Sequence, residues 1–150
     1  MGSIAAGKAE FAYNQLKIPL IVDDTAFSIS ALAGFPGPYA AYVLNTLGNA
    51  GILKLMDGAR DRSAGFTTAI AFADRGIIRV FKGTIEGMIT ERPRGSNGFG
   101  YDPIFALPDG RTLAELSLDE KSALSHRAKA LSSFRDWFMD SYLRHKDANG

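Results

Sequence analysis

Residues 65–81 read GFTTAIAFADRGIIRVF, and this stretch decides the fold class. Phe66, Thr67, Thr68, Ile70 and Phe72 are β-branched or aromatic, the types that fit a pleated, half-buried surface. Asp74-Arg75-Gly76 is hairpin-turn chemistry, so residues 77–81 are expected to return beside 65–73. Gly83 reads as a bulge, after which residues 84–89 continue the strand. Upstream, residues 5–16 have helical spacing, and Lys17 followed by Ile18-Pro19 stops them. Leu20-Ile21-Val22 reads as a short buried strand that ends in Asp23-Asp24-Thr25. Phe27, Ile29 and Ala31 then alternate with small or polar residues, and residues 34–38 (GFPGP) form a stiff turn. Helical segments are expected over 39–47 and 50–56, with a turn at Asp57-Gly58. Downstream, residues 92–103 form a loop, 104–106 a strand and 108–110 a turn. Ser117 with Glu120 fits a capping box, so a helix starts near Leu118. Ser125 fits the N-cap of a longer helix marked by Leu131, Phe134, Phe138 and Tyr142. The reading is an α/β fold, a mixed β-sheet flanked by helices, in one domain over 1–150.

Composition narrows the function. A chain of 150 residues can bury roughly 68–70% of its unfolded surface, so it needs no staples. The formal charge of +1 gives no basic field for duplex nucleic acid. With no cysteine, disulfides, thiolate zinc sites and cysteine nucleophiles are excluded, and two histidines are too few for a multi-histidine metal cluster. Neither a secretory leader nor an 18-residue apolar run is visible, so a cytoplasmic, non-membrane protein is expected. Signatures of P-loop nucleotidases, the common serine hydrolases and zincins are missing.

Four places can carry chemistry. An apolar strand ending in Asp23 and Asp24 would put carboxylates at the sheet rim, where ligands of open α/β sheets bind. Such oxygens suit Mg²⁺ with substrate phosphates, or a general base acting on water. The same residues also suit a plain turn cap. Gly98-Phe99-Gly100-Tyr101-Asp102 allows close approach to a flat ligand, with an aromatic ring to stack on a base and a carboxylate to accept from it. The competing reading is a tight turn whose aromatics cover the core. Lys121 with Ser125-His126-Arg127 places cations near helix starts, which suits an anion or a base carbonyl, and equally suits a solvated surface. Arg92 and Arg94 flank Pro93 and read as solvated, as does His145.

Together these segments resemble the inosine triphosphate pyrophosphatase family, the non-standard purine NTP pyrophosphatases. The matching stretches come in family order: 19–27 (PLIVDDTAF), 32–39 (LAGFPGPY), 48–55 (GNAGILKL), 96–105 (SNGFGYDPIF) and 112–127 (TLAELSLDEKSALSHR). The last two are the specific ones. The resemblance implies Mg²⁺-dependent hydrolysis of ITP, dITP and XTP to the monophosphate and pyrophosphate, with water attacking the α-phosphorus. It implies that Asp24 is the catalytic acid and a metal ligand, that Asp23 is its acidic neighbour at the metal, and that Thr25 contacts substrate. Phe99 would stack on the purine beside Gly100, Tyr101 and Asp102, Lys121 would contact the nucleotide, and His126 and Arg127 would read the base edge. A homodimer is implied as well.

The family also has a first strand with a Thr/Ser-Gly-Asn-x-x-Lys loop and a metal-binding Glu ahead of the acid pair. Here about twenty residues precede Asp23 and contain neither. The expectation is therefore a chain lacking ~50 N-terminal residues of the family domain, with an open sheet edge. Ala26 stands where glycine is common, and Ala40 where serine often follows. Two further readings remain open on this basis: a nucleotide-binding module without turnover, and a dimerising fragment.

Overall fold

The computed structural model describes residues 2–149, with the side chains of 148 and 149 left aside. Helix α1 (Gly2–Leu16) comes first, and Lys17 closes it with a left-handed backbone, φ 56°. Strand β1 (Leu20–Ile29) follows, then β2 (Pro36–Gly37) and the short helices α2 (Ala40–Thr46) and α3 (Gly48–Leu55). A long hairpin, β3 (Ser63–Asp74) and β4 (Ile77–Ile89), turns through Arg75 and Gly76, both at positive φ as such a turn requires. Next come β5 (Phe105–Ala106), α4 (Leu118–Ala123), α5 (His126–Trp137), a π-helical turn (Phe138–Tyr142) and α6 (Leu143–Asn149). Both expected caps form: Ser117 and Glu120 bond reciprocally, and the Ser125 hydroxyl accepts from the Ala128 N–H.

The sheet order is β2-β1-β3-β4-β5. Every pairing among the described residues is antiparallel, so the sheet is not mixed. A parallel pair needs a covering crossover, and here β3 and β4 are joined by a tight turn. Two local expectations also change. First, β1 does not stop at its acids. It runs ten residues, because Phe27 and Ile29 continue the alternation opposite Phe66 and Ala64. Second, Gly83 makes no bulge, since its register opposite Thr68 continues unbroken to Thr84 opposite Thr67.

Period-two alternation gives the sheet two faces. One carries Ala69, Ala71 and Ala73, against which Ala5 and Ala9 of α1 pack with little side-chain bulk between. The other carries the larger core, where Phe27, Ile29, Ile85 and Phe105 meet Val43 of α2 and Ile52 of α3. Each such side chain gains about 1.5–3 kcal/mol on burial. The far end of this second face is covered by α5, whose Phe134 and Trp137 pack on Phe72 and Phe81. Gly83 is the reason α5 can sit so close: a Cβ there would lie 2.0 Å from the His126 carbonyl oxygen and 2.7 Å from the Ala130 nitrogen. The outer edge of β1 pairs with β2 only at Phe27 and Ser28.

Candidate active site

A cavity of about 400 Å³ opens on the second sheet face, at the seam between α2, α4 and α5. Its floor is Phe66, Ile85 and Leu113. One wall is the glycine-rich loop. Asn97 ties that loop to the next segment, its N–H donating to the Ala114 carbonyl at 2.9 Å and its side chain to the Leu116 carbonyl at 3.0 Å. Gly98 has φ +73°, and a Cβ on it would lie 2.1 Å from Asp102 Oδ2. That space lets Asp102, which is buried, accept from the Phe99 N–H at 3.0 Å and from Lys121 Nζ at 2.5 Å. Lys121 Nζ in turn sits 4.3 Å from the centre of the Phe99 ring, within cation–π range. The outcome is an exposed Phe99 whose backbone N–H is held by Asp102 and whose ring faces the Lys121 ammonium. Tyr101 instead points into the core. Its hydroxyl donates to the Ala40 carbonyl at 2.6 Å, its ring packs 4.5 Å from Phe27, and burial pushes its pKa up to about 12. Asn49 supports the Gly100 carbonyl at 3.0 Å.

The opposite wall is the start of α5. The His126 ring stacks on Phe66, centroids 5.5 Å apart and 11° from parallel. Its Nδ1 lies 2.5 Å from the Thr68 hydroxyl, which lies 3.1 Å from the Thr25 hydroxyl. Burial, with the charges of Arg127 and Lys121, lowers its pKa below the ordinary histidine value. The shift favours the neutral imidazole. Arg127 is exposed at the cavity mouth, with one guanidinium nitrogen 3.6 Å from Asp23.

Asp23 and Asp24 are not brought together. As neighbours in a strand they point to opposite faces. Asp23 shares the cavity face with Thr25, whereas Asp24 faces α1, where Lys8 Nζ donates to its Oδ1 at 2.8 Å. Asp24 Oδ2 is buried and has no hydrogen-bond partner. Among the described residues no three His, Cys, Asp or Glu side chains converge as a metal cluster. Arg94 turns out to be structural, donating to the Gly110 carbonyl at 2.6 Å.

Sequence reasoning missed Lys8, Phe66 and Thr68. Thr68 left a trace: it is the polar residue in phase with Phe66, Ile70 and Phe72, and it is fully buried. Lys8 left none, because its partner is sixteen residues away across a helix–strand contact.

Comparison with known proteins gives consistent matches. The Ham1 family model matches residues 1–137. A dITP/XTP pyrophosphatase from Saccharolobus solfataricus is 50% identical over 141 residues, covering 93% of this chain and 72% of that protein. A dITP/XTP pyrophosphatase from Methanopyrus kandleri is 48% identical, covering 92% of this chain and 74% of its own length. Among solved structures, the Staphylococcus aureus Ham1 protein superposes with a TM-score of 0.83 at 34% identity, over 90% of this chain and 74% of that one. No helix among the described residues is long and apolar enough to cross a membrane.

Proposed function

This chain belongs to the Ham1 family, and from that premise we propose that it hydrolyses the non-standard purine nucleoside triphosphates dITP, ITP and XTP to the monophosphate and pyrophosphate. The observation that carries this reading is the exposed Phe99, facing across a 400 Å³ cavity two side chains, His126 and Arg127, that can donate to a base. The purine stacks on Phe99, and Lys121 and Asp102 hold that plate. Arg127 has donors and no acceptor. It matches the 6-oxo group of hypoxanthine or xanthine and meets the 6-amino group of adenine donor to donor. Arg127 is exposed at the cavity mouth, so the preference it adds is smaller than the ~1–3 kcal/mol that a buried unpaired donor would cost.

Asp24 is the carboxylate of the reaction and acts as its general base. Its unpartnered Oδ2 takes the proton of a water whose oxygen bonds to the α-phosphorus, while the bond from that phosphorus to the leaving pyrophosphate breaks. Lys8 holds the other oxygen and fixes the carboxylate's orientation. The same free oxygen fits a hard divalent cation, and Mg²⁺ asks for no more than one or two carboxylates plus substrate phosphates. Mg²⁺ bound there would offset charge on the triphosphate. Asp23, on the other face, is left to orient Arg127. The reading includes a homodimer, supported by the exposed Ile4, Phe11, Ile18 and Ile21 beside the open edge of β1.

The test is pyrophosphate release from dITP, ITP, XTP, GTP and ATP, each with and without Mg²⁺. Release from dITP and XTP that exceeds release from ATP and needs the cation is the expected result. Binding of dITP to the folded protein without release would refute turnover and leave a nucleotide-binding module.

A further inference from the structure

Thr68 contributes nothing to the cavity lining, yet its hydroxyl bridges two residues that do. It lies 2.5 Å from His126 Nδ1 and 3.1 Å from the Thr25 hydroxyl, and the residue is fully buried. The three groups form a closed accounting problem. With a neutral imidazole they carry three hydrogens, one each on Thr25, Thr68 and the ring. There are two contacts between them, so one hydrogen is left over. In one ordering Thr25 donates to Thr68 and Thr68 donates to Nδ1. The spare hydrogen is then on Nε2. In the reverse ordering Nδ1–H donates to Thr68 and Thr68 to Thr25, and Nε2 is a bare acceptor.

The short Thr68–His126 contact couples the ring's tautomer to the hydroxyl, and the first ordering leaves the ring in the Nε2–H tautomer, the one free histidine prefers.

We propose that Thr68 is a specificity-determining, positioning residue: its hydroxyl donates to His126 Nδ1 and thereby fixes Nε2–H as a donor facing the base. This rests on the reading of His126 as a base-edge contact. A 6-oxopurine then accepts from a donor that is already in place. A 6-aminopurine meets that donor with another, unless the whole relay reverses and a hydrogen moves out to Thr25. Discrimination by His126 is thus decided one residue behind the pocket. Thr25 is left with only lone pairs to offer substrate, which suits a ribose hydroxyl and not a phosphate oxygen.

The experiment has two arms. Nitrogen-15 NMR of labelled histidine in the free protein reads the tautomer directly. There are two histidines, and His126→Gln identifies which signals belong to His126 rather than His145. The wild type is expected to show a protonated Nε2 and a bare Nδ1 at neutral pH. Thr68→Val, which keeps the shape and removes the hydroxyl, is expected to mix the two tautomers. The second arm is kcat/KM for ITP against ATP. The preference should fall about tenfold in Thr68→Val and recover, with the tautomer, in Thr68→Ser. A simple loss of packing would not be rescued in both readouts by the smaller serine. A wild-type ring protonated at Nδ1 overturns the proposal, as does a Thr68→Val protein that keeps both its tautomer and its preference. If the wild type releases pyrophosphate from no nucleotide, the functional reading fails, and the NMR arm still decides whether Thr68 sets the ring.

Discussion

Gly83→Ala is the substitution that tests how the base-reading end of α5 is held. The added Cβ would stand 2.0 Å from the His126 carbonyl oxygen and 2.7 Å from the Ala130 nitrogen, both backbone atoms. Contacts below 3.0 Å do not persist, so the first turn of α5 must retreat by about 1 Å. Overpacking of this kind costs about 1–3 kcal/mol. The same retreat would carry the Thr68–His126 contact from 2.5 Å to roughly 3.5 Å, where a hydrogen bond is lost. A displacement near 1 Å in a positioning element is worth about 10²-fold in rate. The expected variant is therefore folded, about 2 kcal/mol less stable by urea denaturation, and about a hundredfold lower in kcat/KM for dITP. The control is Gly7→Ala in α1. Nothing lies within 4 Å of that position, so removing a mid-helix glycine should stabilise by about 0.5–1 kcal/mol. If Gly83→Ala matched the wild type in both stability and turnover, the close approach of α5 would not be what sets the His126 wall.

Three further outcomes are expected. Asp24→Asn should lower kcat by about 10²–10⁴-fold while dITP binding, measured by calorimetry, is largely kept; near-wild-type turnover would remove Asp24 from the chemistry. Phe99→Ala should raise the dITP dissociation constant about five- to 150-fold, because stacking on an aromatic ring is worth about 1–3 kcal/mol per base. The same variant should leave stability within about 0.5 kcal/mol, since the ring is already exposed. Tyr101 should be silent in an alkaline absorbance titration until about pH 12, with Tyr101→Phe marking its contribution. Its folded pKa is raised, so the folded state binds the proton more tightly than the unfolded state between pH 10 and about 12, and stability must fall as pH rises through that window.

What the sequence made legible was local. The end of α1 at Lys17, the 74–76 turn, the Ser117–Glu120 box and the Ser125 cap each depend on residues a few positions apart, and all formed as read. The cavity was half legible, because Gly98-Phe99-Gly100 and Asp102 interact within five residues. Its other half was not. Two acids after three apolar residues look like a strand end, although Phe27 and Ile29 resume the alternation, and the pairing of Asp23 with Ile70 and Asp24 with Ala69 shows that β1 continues through them. A glycine inside a strand looks like a bulge whether or not a helix rests on it. Gly83 shows its reason only when α5, some forty residues later in the chain, is in place.

The alternation of β1 then determines how the site can work. Asp23 and Thr25 face α5, whose Arg127 approaches Asp23, while Asp24 faces α1, whose Lys8 holds it. The base pocket and the acid are thus on opposite faces of one strand, a single residue apart in sequence. A molecule that touches both His126 and Asp24 has to cross β1, and the crossing cannot go through the β1–β3 ladder, which is paired along its whole length from Leu20 to Ile29. It can go over the other edge, where among the described residues β2 pairs only with Phe27 and Ser28. A triphosphate is long enough and flexible enough to make that turn, whereas a base alone is not. On the proposed reading the base is held on one face of β1 and hydrolysis takes place on the other, so Asp24→Asn should spare base recognition while Phe99→Ala weakens it.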